Sequence, residues 1–197
     1  MFIAMKKYLL MLLVLLPLIA NSQELDSAKV GFPVKNGKVV YESIVDIDGV
    51  SKETIYAASK KWLADAFVNS KAVVQSEDRE TGQLMGKGSA TTSSPTNTWI
   101  LANITYNLSF NIQINCKDNR YRIRFYDITS NTGAFGGYLT AAEDVPIETF
   151  AFYAPAKPLK PKQLERVKSS KDAINNVFTM LLSSFNTSVK TYKQDDF

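Results

Sequence analysis

Apolar residues take every second position from Ala102 through Ile104, Tyr106, Leu108, Phe110, Ile112 and Ile114 to Cys116. Asn103, Thr105, Asn107, Ser109, Asn111, Gln113 and Asn115 fill the positions between them. Successive side chains of a strand point to opposite faces, so this alternation predicts a strand with one dry face and one wet face. A helix would scatter the same apolar residues around its circumference. Lys117–Asp118–Asn119–Arg120 then reads as a tight turn, because Asp and Asn tolerate the backbone angles such turns need. Tyr121, Ile123 and Phe125 alternate with Arg122 and Arg124 on the return. The stretch Ala102–Asp127 therefore predicts one long β-hairpin.

The flanking patterns supply further elements. Lys38–Ile47, rich in Val, Ile and Tyr, predicts a first strand that Asp48–Gly49 ends. Ser51 is placed to cap a helix, with Glu53 in its favourable first turn. Ile55, Ala58, Trp62 and Ala66, with Leu63 and Phe67, form a stripe at helical spacing that runs to about Asn69. Ala72–Glu77 predicts a short strand and Gln83–Thr92 another, followed by a polar loop over Thr92–Thr98. In the second of these strands Leu84, Gly86, Gly88 and Ala90 share one face, which fits a helix packed close against it. A phosphate-cradling loop would instead need a glycine-rich turn that leads into a helix. Residues 129–160 read as an irregular insertion with Gly133, Gly136, Gly137 and several prolines, in which Ile147–Tyr153 is a candidate edge strand. Pro161 suits the first turn of a final helix, and Leu164, Val167, Ile174, Phe178, Leu181 and Phe185 continue it to about residue 190. Residues 191–197 read as a loose tail.

The N-terminus changes the picture of where the domain begins. Lys6 and Lys7 precede the apolar run Tyr8–Ala20, and small residues follow before Gln23. This is the pattern of a secretory signal peptide cleaved after Ser22, and the run is short for a membrane anchor, which takes about 20 apolar residues. No cysteine follows it to carry a lipid, so the expectation is an exported protein, periplasmic or extracellular, with no membrane span after cleavage and no lipoprotein anchor. Losing 22 of 197 residues leaves 175, enough for a single domain with a full core. Losing Lys6 and Lys7 without any acid lowers the formal charge from +4 to +2, too little to argue for nucleic acid as a partner. Residues 23–37 read as a flexible leader and 38–190 as the domain. Cys116, the one cysteine, falls in the apolar phase of the hairpin and reads as a small buried hydrophobe.

The elements compose an α+β fold: a single antiparallel sheet of about five strands with two helices on one face, in the order β-α-β-β-β-β-α. That is the architecture of one half of the TATA-binding protein. Several short motifs recur with it in consistent order: Val40–Tyr41, Ser51–Lys52 opening a helix with Ile55–Tyr56 and Trp62, Gly82–Gln83–Leu84–Met85–Gly86–Lys87–Gly88, and Tyr106–Asn107–Leu108 through Lys117–Asp118–Asn119–Arg120–Tyr121–Arg122. Together they resemble the bacterial domain-of-unknown-function family 4468, which has a TATA-binding-protein-like fold. The resemblance covers roughly Lys38–Ile128. It implies an exported bacterial protein and a fold, and it brings no activity or site.

The chain has no histidine, which excludes Ser-His-Asp and Cys-His nucleophilic triads. Asp46–Ile47–Asp48–Gly49 lacks the further oxygen ligands of a calcium loop and reads as a strand end, so no metal or other cofactor is expected. Glu143 and Asp144 are adjacent carboxylates that would serve a hydrolase or transferase acting on envelope glycans. The wet face of the hairpin is the other candidate surface: Asn103, Asn107, Asn111 and Gln113, with Arg122 and Arg124 on the neighbouring strand. It reads either as the solvated side of an antiparallel sheet or as a binding face. As a binding face, its uncharged amides favour an envelope protein or a glycan over nucleic acid. A non-enzymatic binding module is the leading expectation, acting through this face or the segment 133–153.

Overall fold

The computed structural model describes residues 31–67, 74–95, 103–131, 144–152 and 157–194. In chain order these form β1 (Val34–Lys35), β2 (Lys38–Val39), β3 (Tyr41–Asp46), α1 (Lys52–Ala66), β4 (Val74–Asp78), β5 (Gln83–Pro95), β6 (Asn103–Lys117), β7 (Arg120–Asn131), β8 (Val145–Pro146), α2 (Glu148–Ala151) and α3 (Pro161–Gln194). β1 and β2 pair as a small ribbon of their own. The main sheet runs β3-β7-β6-β5-β4, all antiparallel, and β8 joins β7 as a sixth strand. This is the expected antiparallel α+β architecture, with six strands in place of about five.

The long hairpin is present with the face assignment its alternation dictates. On β6, Tyr106, Leu108, Phe110, Ile112, Ile114 and Cys116 are buried, and the intervening polar positions are half-buried or exposed. The turn has a second role. Asn119, left-handed at φ 59°, accepts from the Ile47 amide through its carbonyl and from the Gly49 amide through its side chain. The Asp118 carboxylate accepts from the Lys52 amide at 2.8 Å, at the positive end of α1. Ser51 caps the same helix by accepting from the Thr54 amide, as expected. The hairpin tip is thus bound to the start of α1.

Both helices cover one face of the sheet. α1 turns Ile55, Ala58, Trp62 and Leu63 into the core, and α3 adds Ile174, Phe178, Phe185 and Val189. Phe178 stacks on Tyr41 with ring centroids 4.2 Å apart and meets Phe110 edge-on at 5.1 Å, while Phe185 meets Trp62 and Tyr121 edge-on. Tyrosine hydroxyls from three strands fasten α3 along its length: Tyr106 to Ser170, Tyr41 to Asn175 and Tyr121 to Asn186. Each buries a large ring and keeps its polar tip satisfied.

Several expected boundaries shift. The leader is not wholly loose, because Phe32 is buried and Val34–Lys35 pair with Val39–Lys38. β5 continues through Pro95, so the expected loop at Thr92 begins later. α1 stops at Ala66. Ile147–Tyr153 is not a strand: Val145–Pro146 pair with Ser130–Thr129, and a single helical turn follows over Glu148–Ala151. The Val39 amide donates to the Glu148 carboxylate at 3.0 Å, which ties that turn to β2. α3 continues to Gln194 where a tail was expected from 191. The small-residue face of β5 does meet α1 through Phe67, and α3 also lies across it, with Thr92 donating to the Ala173 carbonyl. The predicted signal segment 1–22, the glycines of 133–137 and Glu143 lie outside the described residues.

Candidate functional site

The face of the sheet opposite the helices is built by the polar phases of four strands. Register sets its rows: Ile44, Arg122, Asn115 and Gln83 in one, Glu42, Arg124, Gln113 and Met85 in the next, then Tyr126, Asn111 and Lys87. Beyond a bulge in the β6–β7 ladder come Thr129, Ser109 and Ser89, then Asn131, Asn107 and Thr91. No described element packs over this face.

All six residues singled out from the sequence project from it, but they do not form one site. Arg122 Nη2 donates to Asn115 Oδ1 at 2.9 Å. Arg124 lies over the Tyr126 ring at 5.4 Å, has Glu42 at 3.8 Å, and faces Gln113 across the ladder. Asn111 donates to Asp127 at 3.2 Å, and Asn107 accepts from Thr91 at 3.0 Å. Asn103 pairs with Pro95 at the far end of β6, ten residues and roughly 34 Å from Gln113. Asn111, Gln113, Arg122 and Arg124 are neighbours; Asn107 stands apart and Asn103 is remote.

The bulge adds residues that the alternation concealed. It places two residues of β7 against one of β6, leaves Asp127 at φ 48°, and re-aims that side chain. A shallow pocket of about 480 Å³ opens there, lined by Lys87, Ser89, Asn111, Asp127, Thr129 and Asp144. Asp144, expected as half of a carboxylate pair on a loop, lines the same pocket as Asp127. Sequence reading missed Tyr126, Asp127 and Glu42, although Tyr126 continues the phase of Arg122 and Arg124 and could have been counted with them. A second concavity between α1 and α3, about 730 Å³, is edged by Trp62, Ser184 and the exposed Met180.

Chemistry at Cys116 is suppressed. Its thiol is buried beside Ser59 Oγ at 3.7 Å, and burial pushes its pKa up to about 11, away from the thiolate a nucleophile needs. Among the described residues no group of three or more His, Cys, Asp or Glu side chains could hold a metal ion. No described helix is long and apolar enough to cross a membrane.

Residues 41–131 match the family model described as "Domain of unknown function (DUF4468) with TBP-like fold". Two solved structures are similar over most of the chain. A DUF4468 family protein from Bacteroides ovatus aligns at a TM-score of 0.58 with 18% identity, covering 81% of this chain and 95% of that one. A TBP-like protein from Parabacteroides distasonis aligns at a TM-score of 0.55 with 20% identity, covering 79% of this chain and 97% of that one. No curated protein matches. The ordered motifs between Val40 and Arg122 fall almost wholly within the span that matches the DUF4468 model, and the fold they belong to is the TBP-like fold of these two structures.

Proposed function

We propose that this chain is an exported, non-enzymatic binding module, freed of residues 1–22 on export, whose uncovered sheet face engages a protein or glycan of the cell envelope. The observation that supports it is the uneven coverage of the sheet. Both helices lie on one side, and the other presents a broad field of amides, hydroxyls and half-buried arginines with no described element over it. Neutral donors and acceptors in register suit sugar hydroxyls or an extended backbone. Glu42 and Asp46 stand beside the arginines and oppose a polyphosphate, so nucleic acid is not the proposed partner.

The test is capture from a native envelope extract by the full-length protein at low and high salt, read by mass spectrometry and glycan analysis. Changing Asn107, Asn111 and Arg124 together to Ala should abolish capture and leave Tm within a few degrees. Capture that survives the triple change rejects the sheet face as the site.

A second reading has one observation in its favour: Asp127, Asp144 and Lys87 line one pocket at the bulge. Two carboxylates flanking a polar cleft can divide general acid and base roles in glycoside hydrolysis or transfer. Turnover of cell-wall glycans that Asp127→Asn and Asp144→Asn each abolish would establish it, and turnover unaffected by both would remove it.

A further inference from the structure

Arg120, Arg122 and Arg124 occupy alternate positions of β7 and project from the same side at roughly 7 Å intervals. The outer two have carboxylates: Arg120 Nε lies 3.2 Å from Asp46 and Arg124 Nε 3.8 Å from Glu42. Arg122 has none among the described residues. Its neighbour across β3 is Ile44, and across β6 it is Asn115. Asn115 Oδ1 holds Nη2 at 2.9 Å and so orients the guanidinium; Nε is buried, as is Nε of Arg124, so the terminal amino groups are the donors that Arg122 can offer to a ligand. An oriented cation with unused donors matches a carboxylate, which accepts two parallel hydrogen bonds from the planar fork.

The surroundings narrow the ligand. Ile44 beside Arg122 is 50% exposed, an apolar shelf next to the charge. Gln113 and Asn111 continue the row of amides along β6. With Asp46 and Glu42 offsetting the outer arginines, one positive charge is left over, which fits a singly charged carboxylate better than a dense polyanion.

We propose that Arg122 anchors a carboxylate subsite and that its ligand is a uronic-acid glycan. The carboxylate takes the guanidinium, the C–H face of the sugar lies on Ile44, and ring hydroxyls meet Asn115 and Gln113. This inference rests on the reading of the open sheet face as a binding surface, and it names the ligand class of that face.

Titration calorimetry of the full-length protein with oligoglucuronate and oligogalacturonate, beside neutral glucan and galactan oligomers of equal length, tests it. The expected result is binding of a uronate at least tenfold tighter than its neutral counterpart. Arg122→Gln should weaken that binding tenfold or more. Arg122→Lys, which keeps the charge and loses the fork, should recover only part of it, and both variants should keep the parent Tm. Uronates that bind no tighter than neutral oligomers overturn the inference, as does uronate binding unchanged in Arg122→Gln. A peptide with a free C-terminal carboxylate that binds through Arg122 where uronates do not overturns the glycan assignment. Envelope capture lost in the Asn107, Asn111 and Arg124 triple variant but unchanged in Arg122→Gln sinks this inference alone and leaves the broader reading standing.

Discussion

At the scale of single residues, Gly88 shows how little space the helix-covered face allows. A Cβ there would sit 2.6 Å from Phe110 Cε2, 2.9 Å from Phe67 Cε1 and 3.1 Å from Ile112 Cδ1. These atoms cannot easily retreat, because Phe110 is wedged edge-on against Phe67, Phe125 and Phe178. Gly88→Ala should therefore destabilise the fold by about 1–3 kcal/mol, the usual range for overpacking, despite the better strand propensity of alanine. A urea midpoint equal to the parent's would contradict this. The run of alternate small residues in β5 signalled a close approach from the sequence alone; that the approaching atoms are the rings of Phe67 and Phe110 is a tertiary fact.

At the scale of elements, α3 divides into two stretches of different worth. Between Pro161 and Glu165 its side chains are exposed, Leu164 by 59%, whereas Ile174, Phe178, Phe185 and Val189 are fully buried. The apolar spacing continues across both stretches with a single interruption at Lys171, so periodicity alone does not rank Leu164 below Phe178. Contact with the sheet decides between them. Leu164→Ala should change stability by less than about 0.5 kcal/mol, and Phe178→Ala should cost about 3–5 kcal/mol. Chemical denaturation of the two variants measures the contrast directly, and comparable losses from both would refute the division.

At the scale of the whole molecule, the buried phenols and the thiol make stability depend on alkaline pH. Burial pushes Cys116 up to about 11 and Tyr121 up to about 12, and it also raises Tyr41 and Tyr106. The folded protein holds these groups neutral while the unfolded chain ionises them near their ordinary values, so stability is complete below about pH 8 and falls as pH rises through 9 to 12. The thiol alone accounts for roughly 2 kcal/mol by pH 11. Urea midpoints measured from pH 7 to pH 11 should stay level and then decline. Cys116→Ala should delay the onset of the decline, and a profile identical to the parent's would show that the thiol has no part in it.

Alternation and helical spacing in the sequence determined the element order, the two faces of the hairpin, the cap at Ser51 and the burial of Cys116. These follow from local periodicity, which the solvent boundary of a single strand or helix imposes on its own residues. Short elements escaped it: β8 is two residues long and α2 one turn, too brief for a period to register. The candidate site was legible only as a phase, since Asn103, Asn107, Asn111, Gln113, Arg122 and Arg124 share a face by parity. Cross-strand register decided which of them meet. It set Arg120 against Asp46 and Arg124 against Glu42, left Arg122 between Ile44 and Asn115, and placed the bulge that turns Asp127 into a pocket lined also by Asp144. Register is fixed by pairing between residues far apart in the chain, and a pattern confined to one strand carries no record of its neighbour.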